Sequence, residues 1–198
     1  MVTAPIGLLA LQGDFERHRQ ALSALGAPCR LVRSPAELAG CAGLVLPGGE
    51  STTMTRLLDL SELRGPVREF AGRRPVLGTC AGLILLASRL VDEAPGHGVA
   101  PLGLLDCAVL RNGYGRQIDS FEQDVVLTPL DGSPAPFPAV FIRAPRIVAT
   151  GPGCEIVARY GDEPVGVRQG RLLGLAFHPE LVGDRRVHAA FLALCAEV

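Results

Sequence analysis

Four short apolar runs, each followed by a segment of helical periodicity, set the architecture of this chain. They are Ile6 to Leu11, Cys29 to Val32, Gly43 to Leu46 and Pro75 to Gly78. Continuous apolar runs of this length mark strands covered on both faces. Asp14 opens a helix over Phe15 to Leu25, with Leu22 and Leu25 on one face and Gly26 as its stop. Pro35 to Leu38 reads as a short helix. Ser51 or Thr52 caps a helix toward Leu60, which Ser61 to Ala71 continues, and Ala81 to Leu90 is helical in pattern. Strand–helix alternation with short connections requires parallel strands with crossover helices on both faces. The expected fold is α/β, three-layered, with a mostly parallel twisted sheet flanked by helices.

After Asp92 the texture changes. Pro and Gly become frequent, and the candidate strands are short: Leu104 to Leu110, Asp124 to Thr128, Ala139 to Ile142, Glu155 to Tyr160, Val165 to Arg168 and Leu172 to Phe177. These read as antiparallel hairpins added to one side of the parallel sheet, with turns at Gly161-Asp162-Glu163 and Gln169-Gly170. Pro129 to Pro138 reads as a proline-rich loop, and Asp184 to Glu197 as a closing amphipathic helix. A length of 198 residues fits one domain, 1–198, with a sizeable core.

Composition excludes several functions. A net charge of -1 leaves no global basic field for nucleic acid or anionic membrane. No apolar run approaches the ~18 residues of a membrane span. All 19 basic residues are Arg, so Schiff-base and Walker-lysine chemistry is absent. The six cysteines are widely spaced, without a CxxC pair or zinc spacing. Met1 to Leu11 lacks a basic leader and a cleavage site, so it reads as a first strand. A reducing cytoplasm is the expected setting, with the cysteines as thiols.

Three stretches carry chemistry. In Gly78-Thr79-Cys80-Ala81-Gly82 a buried strand meets a helix at Cys80, with small residues on both sides. A side chain presented at so sharp a turn needs small neighbours, which is the logic of the nucleophile elbow. The helix start stabilises a thiolate, and the Ala81 N–H points where an oxyanion forms. A buried structural thiol stays open as the alternative for Cys80. It is the default for Cys29, Cys41, Cys107, Cys154 and Cys195.

The second stretch is Phe177-His178-Pro179-Glu180, at a strand's end. Proline keeps His178 extended, and residues two apart in an extended segment share a face, so Glu180 can orient the imidazole. Taken alone, a surface His beside a surface Glu is the commoner outcome; the cysteine elbow elsewhere raises the functional reading. His18 and His188, in helical patterns, and His97, in a Gly-rich loop, read as solvated. The third stretch is Pro47-Gly48-Gly49-Glu50-Ser51-Thr52. Its glycine pair follows a buried strand and reads as a tight turn or as a ligand loop at a strand's carboxyl end. Gly48-Gly49 can take either of two peptide orientations, one of which aims an N–H at an oxyanion.

Together these residues resemble the class I, triad-type glutamine amidotransferases, a flavodoxin-like fold. Leu46 to Met54, Arg111 to Phe121 and Phe141 to Pro145 narrow the resemblance to the glutaminase subunits of pyridoxal 5'-phosphate synthase. So do Leu9-Ala10-Leu11-Gln12-Gly13 and His178-Pro179-Glu180-Leu181. The resemblance implies Cys80 as nucleophile, His178 as base and then acid, and Glu180 as its orienter. Gly49, Glu50, Ser51, Arg111, Ile142 and Arg143 would contact glutamine, and the N–H groups of Gly49 and Ala81 would form the oxyanion hole. It implies no metal and no organic cofactor. It implies a partner, a synthase subunit in a hetero-oligomeric complex that uses the ammonia to build pyridoxal 5'-phosphate from a pentose phosphate and a triose phosphate. Gly113-Tyr114 and the Pro129 to Pro138 loop depart from the family pattern. Another triad hydrolase on this scaffold, such as a γ-glutamyl peptidase or a differently partnered amidotransferase, is the alternative. A redox-sensing cysteine protein is a more distant one, since it leaves His178 and Glu180 idle.

Overall fold

A computed structural model describes residues 3–91, 98–114, 120–128 and 134–197. The strands are β1 (Ile6–Leu9), β2 (Cys29–Val32), β3 (Gly43–Leu46), β4 (Val76–Thr79), β5 (Ala87–Leu90), β6 (Leu105–Leu110), β7 (Phe121–Leu127), β8 (Ala135–Phe141), β9 (Arg146–Thr150), β10 (Glu155–Tyr160), β11 (Glu163–Gln169) and β12 (Leu172–Leu175). The helices are α1 (Phe15–Ala24), α2 (Pro35–Leu38), α3 (Ser51–Leu60), α4 (Arg64–Ala71), α5 (Ala81–Leu86) and α6 (Arg186–Ala196). A 3₁₀ turn covers Pro179–Leu181.

The main sheet runs β2-β1-β3-β4-β12-β11-β10-β7-β8. Its first five strands are mutually parallel, and β11, β10, β7 and β8 follow antiparallel. β1, β3, β4 and β12 are buried along their whole length, as their apolar runs require. Both anticipated hairpin turns form, with Gly161 at φ +57° and Gly170 at φ +58°. The added strands curl back: the His178 N–H donates to Val140 O at 2.9 Å, and Phe177 packs on Phe137 and Phe141.

Several expectations are corrected. The helix read over Ala81 to Leu90 ends at Leu86. Ala87–Leu90 is β5, because its backbone pairs parallel with β6. The candidate strand Leu104 to Leu110 does not join the main sheet; β6 lies between β5 and β9 in a second, three-stranded sheet. β9 carried no sequence assignment. Its exposed positions alternate too weakly to stand out. The helix toward Ala71 is interrupted at Ser61–Leu63, where Glu62 takes φ +56° and the Ser61 hydroxyl bonds back to Leu57 O at 2.7 Å.

The proline-rich segment is a loop for only part of its length. Residues 129–133 lie outside the described residues, but Pro136 and Pro138 belong to β8, the sheet's edge. Pro136 O and Val140 O accept from Arg186 and from the His178 N–H, so the even positions face away from β7. A missing N–H there costs no ladder bond.

The elbow holds two glycines that tolerate no side chain. A Cβ on Gly82 would overlap Leu46 O, and one on Gly78 would lie 2.6 Å from Gly82 O. Helix α5 thus crosses the ends of β3 and β4 at backbone contact. We expect Gly82→Ala to lose about 1–3 kcal/mol of stability, the cost of forced overpacking. Gly65→Ala, which meets nothing within 4 Å, should be neutral or slightly stabilising. Urea unfolding of both variants measures the contrast; equal losses would contradict it.

Candidate active site

Four neighbouring parallel strands, β1, β3, β4 and β12, end side by side, and each delivers one part of the site. This is where an open α/β sheet binds its ligand. β1 leads into Gln12-Gly13-Asp14, β3 into Gly48-Gly49, β4 into Cys80 and β12 into His178. They surround an open cavity of about 340 Å³. Of the residues singled out in the sequence, Gly49, Glu50, Ser51, Cys80, Arg111, Ile142, Arg143 and His178 line it. Glu180 is buried behind His178, and Ala81 is buried at the start of α5.

Cys80 sits at φ +49°, ψ -105°, a conformation a non-glycine residue adopts only under constraint. Its carbonyl accepts the first helical bond, from the Ile84 N–H at 3.2 Å, and its Sγ lies 3.8 Å from Ile142 O. A Cβ on Gly48 would lie 2.9 Å from His178 Nδ1 and 3.4 Å from the Cys80 Cβ, so thiol and imidazole meet over that glycine. Burial pushes the Cys107 and Cys195 thiols up to about 12, and raises Cys29, Cys41 and Cys154. These five hold their protons and serve packing.

His178 Nδ1 lies 2.8 Å from Glu180 Oε1. Burial opposes a charged imidazole, but hydrogen bonding and charge from Cys80 and Glu180 outweigh it and raise His178 to about 10. Burial likewise opposes the Glu180 carboxylate, yet His18 and His178 together hold it below its usual range. The arrangement favours an imidazolium between the Cys80 sulfur and the Glu180 carboxylate.

The glycine loop is held from β1. The Glu50 N–H donates to Gln12 Oε1 at 2.7 Å, and the Asp14 N–H donates to Gly48 O at 3.1 Å. The peptide is planar and trans, so the Gly49 N–H points to the side opposite Asp14. The cap of α3 is neither Ser51 nor Thr52. Glu50 caps it, accepting from the Thr52 and Thr53 N–H groups at 3.1 and 2.6 Å. These bonds lower the Glu50 pKa against its burial. Arg111 pairs with Glu50 at 3.7 Å and reaches Thr52 Oγ1 at 3.4 Å. Arg143 stands at φ +45° where β8 runs into the cavity.

The sequence reading of His18 and His188 as solvated is wrong, for both are fully buried. His18 Nε2 lies 3.2 Å from Thr79 Oγ1 and 3.3 Å from Glu180 Oε2, and His18 Nδ1 lies 3.0 Å from His188 Nε2. His18, Ala21 and Leu22 follow i, i+3, i+4 spacing and are the buried residues of α1, so the helical period itself placed His18 on the inner face, whereas Leu25, expected to share that face, is exposed at the helix end. His97 and the Gly115 to Asp119 part of the Arg111 to Phe121 stretch lie outside the described residues. Gln12, Thr79 and Asn112 carried no site assignment. Among the described residues no group of His, Cys, Asp and Glu is placed to hold a metal ion. No helix there is long and apolar enough to cross a membrane.

Residues 8–197 match the model of the SNO glutamine amidotransferase family. The chain is 53% identical over 194 residues to a protein of Deinococcus radiodurans named pyridoxal 5'-phosphate synthase subunit PdxT, covering 97% of each. It is 52% identical to a protein of the same name from a Parafrankia species, covering 98% of this chain and 94% of that one. Among solved structures it resembles a glutamine amidotransferase at a TM-score of 0.88 and 44% identity, covering 96% and 98% of the two chains. A chain of PurLQS from Thermotoga maritima, 18% identical with a TM-score of 0.70, shares the fold, and the match covers 96% of this chain and 99% of that one.

Two outcomes follow from the geometry. Gly48→Ala should displace His178 and abolish activity while the protein stays folded, which turnover and circular dichroism check together. Burial lowers His18 and takes His188 down to about 3, against 6.5 for an ordinary histidine. Between those values the unfolded chain binds a proton that buried His188 does not. Its stabilising effect is complete above pH 6.5 and is lost as pH falls toward 3. His188→Gln should therefore flatten the acid limb of the stability curve by up to about 1.4 kcal/mol per pH unit. Urea unfolding at pH 4 to 7 measures the slope, and an unchanged slope would refute it.

Proposed function

The chain belongs to the SNO glutamine amidotransferase family, and from that membership and the site we propose how it hydrolyses L-glutamine to L-glutamate and ammonia. The observation that carries the reading is the meeting of Cys80 and His178 over Gly48, with Glu180 on His178 Nδ1. In the proposal the Cys80 thiolate, whose proton His178 has taken, attacks the side-chain amide carbon of glutamine, and the carbonyl electrons move onto oxygen. The N–H groups of Ala81 and Gly49 hold that oxyanion, each such donor being typically worth ~3 kcal/mol. His178, held as the imidazolium by Glu180, gives its proton to the departing nitrogen, and ammonia leaves. The resulting γ-glutamyl thioester is cleaved by water that neutral His178 deprotonates, which returns glutamate and restores the thiolate beside the imidazolium.

Arg143, Ile142, Ser51 and Arg111 face the cavity where the substrate's α-carboxylate and amine would lie. A guanidinium suits a carboxylate. The Glu50 carboxylate is spent on the α3 cap and on Arg111, so its part is to hold loop and arginine in place. The whole chain, 1–198, acts as one amidotransferase domain in this reading. The relatives' names, each a subunit of pyridoxal 5'-phosphate synthase, support a synthase partner in a hetero-oligomeric complex, and in this reading that partner consumes the ammonia. The six free thiols support a reducing cytoplasm. The reaction as written needs no cofactor.

The test is glutamate release from glutamine by the chain with its synthase partner, set against γ-glutamyl peptides as substrates. Cys80→Ala should remove at least about 10³-fold of turnover, with unfolding temperature little changed. His178→Asn should lose as much, and Glu180→Gln less. The double variant should match His178→Asn alone, since residues acting as one unit do not add. Preference for peptides over glutamine would shift the assignment to another triad hydrolase. Arg143→Ala and Arg111→Ala should impair turnover without unfolding the chain.

A further inference from the structure

Three buried side chains close on the back of the His178–Glu180 pair and take no part in the reaction as written. Glu180 uses Oε1 for His178. Its second oxygen, Oε2, is sealed from water and has no well-aligned hydrogen-bond donor. The dipole that faces it is that of His18 Nε2, at 3.3 Å, with both side chains wholly buried. The same nitrogen lies 3.2 Å from Thr79 Oγ1, on the residue before the nucleophile. His18 thus touches the end of β4 and the 3₁₀ turn at once, from helix α1.

The protonation of this group follows from the carboxylate. A lone pair on His18 Nε2 would face the Oε2 lone pairs across 3.3 Å in a low-dielectric interior, so the proton sits on Nε2. His18 Nδ1 is then an acceptor, and His188 Nε2, at 3.0 Å, must be its donor. That leaves His188 Nδ1 as an unprotonated nitrogen, and this is the atom found buried without a partner. An unfilled lone pair there is tolerated better than a buried orphan N–H. The ring protons of both histidines thus have one consistent assignment.

We propose that His18 is a positioning residue of the catalytic centre: its Nε2–H, bonded to Thr79 Oγ1, sets a positive dipole edge against the second carboxylate oxygen of Glu180, and His188 holds His18. The carboxylate is thereby fixed in rotation, with Oε1 kept on His178. Both backing histidines stay neutral, as the burial-lowered pKa values of both support. A charged His18 would compete with His178 for the same carboxylate. A neutral one restrains Glu180 and leaves its charge to the imidazolium that protonates the leaving group.

The inference rests on the glutaminase reading, so the experiment carries a readout independent of glutamine. With the synthase partner present, kcat and KM for glutamate release are measured for wild type, His18→Leu, His18→Gln and His18→Asn. Alkylation of Cys80 by iodoacetamide is followed in parallel by peptide mass spectrometry. Gln places an amide N–H near the Nε2 position, whereas Asn reaches only the Nδ1 position. The expected result is a kcat loss of about 10- to 100-fold in His18→Leu with KM within about twofold, the size of a weakened acid–base step. His18→Gln should recover most of it and His18→Asn should not. Alkylation should slow in the same order, because His178 and Cys80 are coupled. In a Glu180→Gln background, His18→Leu should cost little more.

A folded His18→Leu with unchanged kcat overturns the proposal, and so do equal rates for His18→Gln and His18→Asn. Should His18→Leu fail to fold, the Gln and Asn pair decides alone. Absence of glutamate release by wild type would overturn the glutaminase reading, while the alkylation order would still decide the positioning of His178.

Discussion

The crossing of α5 over the ends of β3 and β4 is a backbone-to-backbone contact, and the site is built outward from it. Gly82 rests on Leu46 O and Gly78 on the Gly82 carbonyl. Only at that separation can the chain turn from β4 into α5 within one residue, and that residue is Cys80 at φ +49°. Strain of this kind costs about 1–3 kcal/mol and persists where the surroundings impose it. Here they do, because Leu83, Leu85 and Leu86 of α5 are wholly buried and the sheet pairs β4 on both sides. The thiol therefore has one direction open to it, toward the cavity between the β3 loop and the β12 end.

What faces the thiol is set by the neighbours of β4 in the sheet. β3 delivers a glycine whose missing side chain is the space in which His178 sits. β12 delivers His178, and β8 fixes it by accepting its backbone N–H. The antiparallel strands are thus more than an extension of the sheet. By curling back, β8 sets the backbone of His178 and then runs on as Ile142 and Arg143 into the cavity. α1 closes the arrangement from the other side. Its entry loop holds Gly48 O and the Glu50 N–H, and its second turn carries His18 to Glu180. α1 and its entry loop therefore touch both the loop proposed to hold the oxyanion and the carboxylate proposed to orient His178.

The sequence made the parallel half of the fold readable because a strand buried on both faces leaves an unbroken apolar run. Cys80, His178 and Glu180 were readable for a related reason, since each lies just past such a run. The added strands were harder. β9 has one buried residue in five, and β8 contains two prolines that count against a strand unless the edge position is known. The break after Leu60 depends on Glu62 taking a left-handed conformation, which its residue type does not signal. The burial of His18 and His188 was legible in helical spacing, although their residue type alone favours a solvated position. In α6, His188, Phe191 and Cys195 follow i, i+3, i+7 spacing and are all buried. A histidine on an apolar stripe needs a partner inside, and the partner of this pair is the Glu180 carboxylate of the proposed triad.

That carboxylate is the one buried anion among three imidazoles, and how it divides its influence decides what each can do. Glu180 lies against His178 through Oε1 and against His18 through Oε2, at 2.8 and 3.3 Å. A single negative charge stabilises one buried cation well and two poorly, since the second adds repulsion to its own desolvation. His178 lies beside the open cavity and beside Cys80, so its charge has a second stabilising neighbour and some contact with water. His18 is sealed from water, and although Asp14 adds a second favourable charge, burial dominates and the charge on His178 lowers its pKa further. The proton therefore resides on the imidazole that faces the substrate. The two behind it act as dipoles, and the one mobile charge of the set stays where a leaving nitrogen can take it.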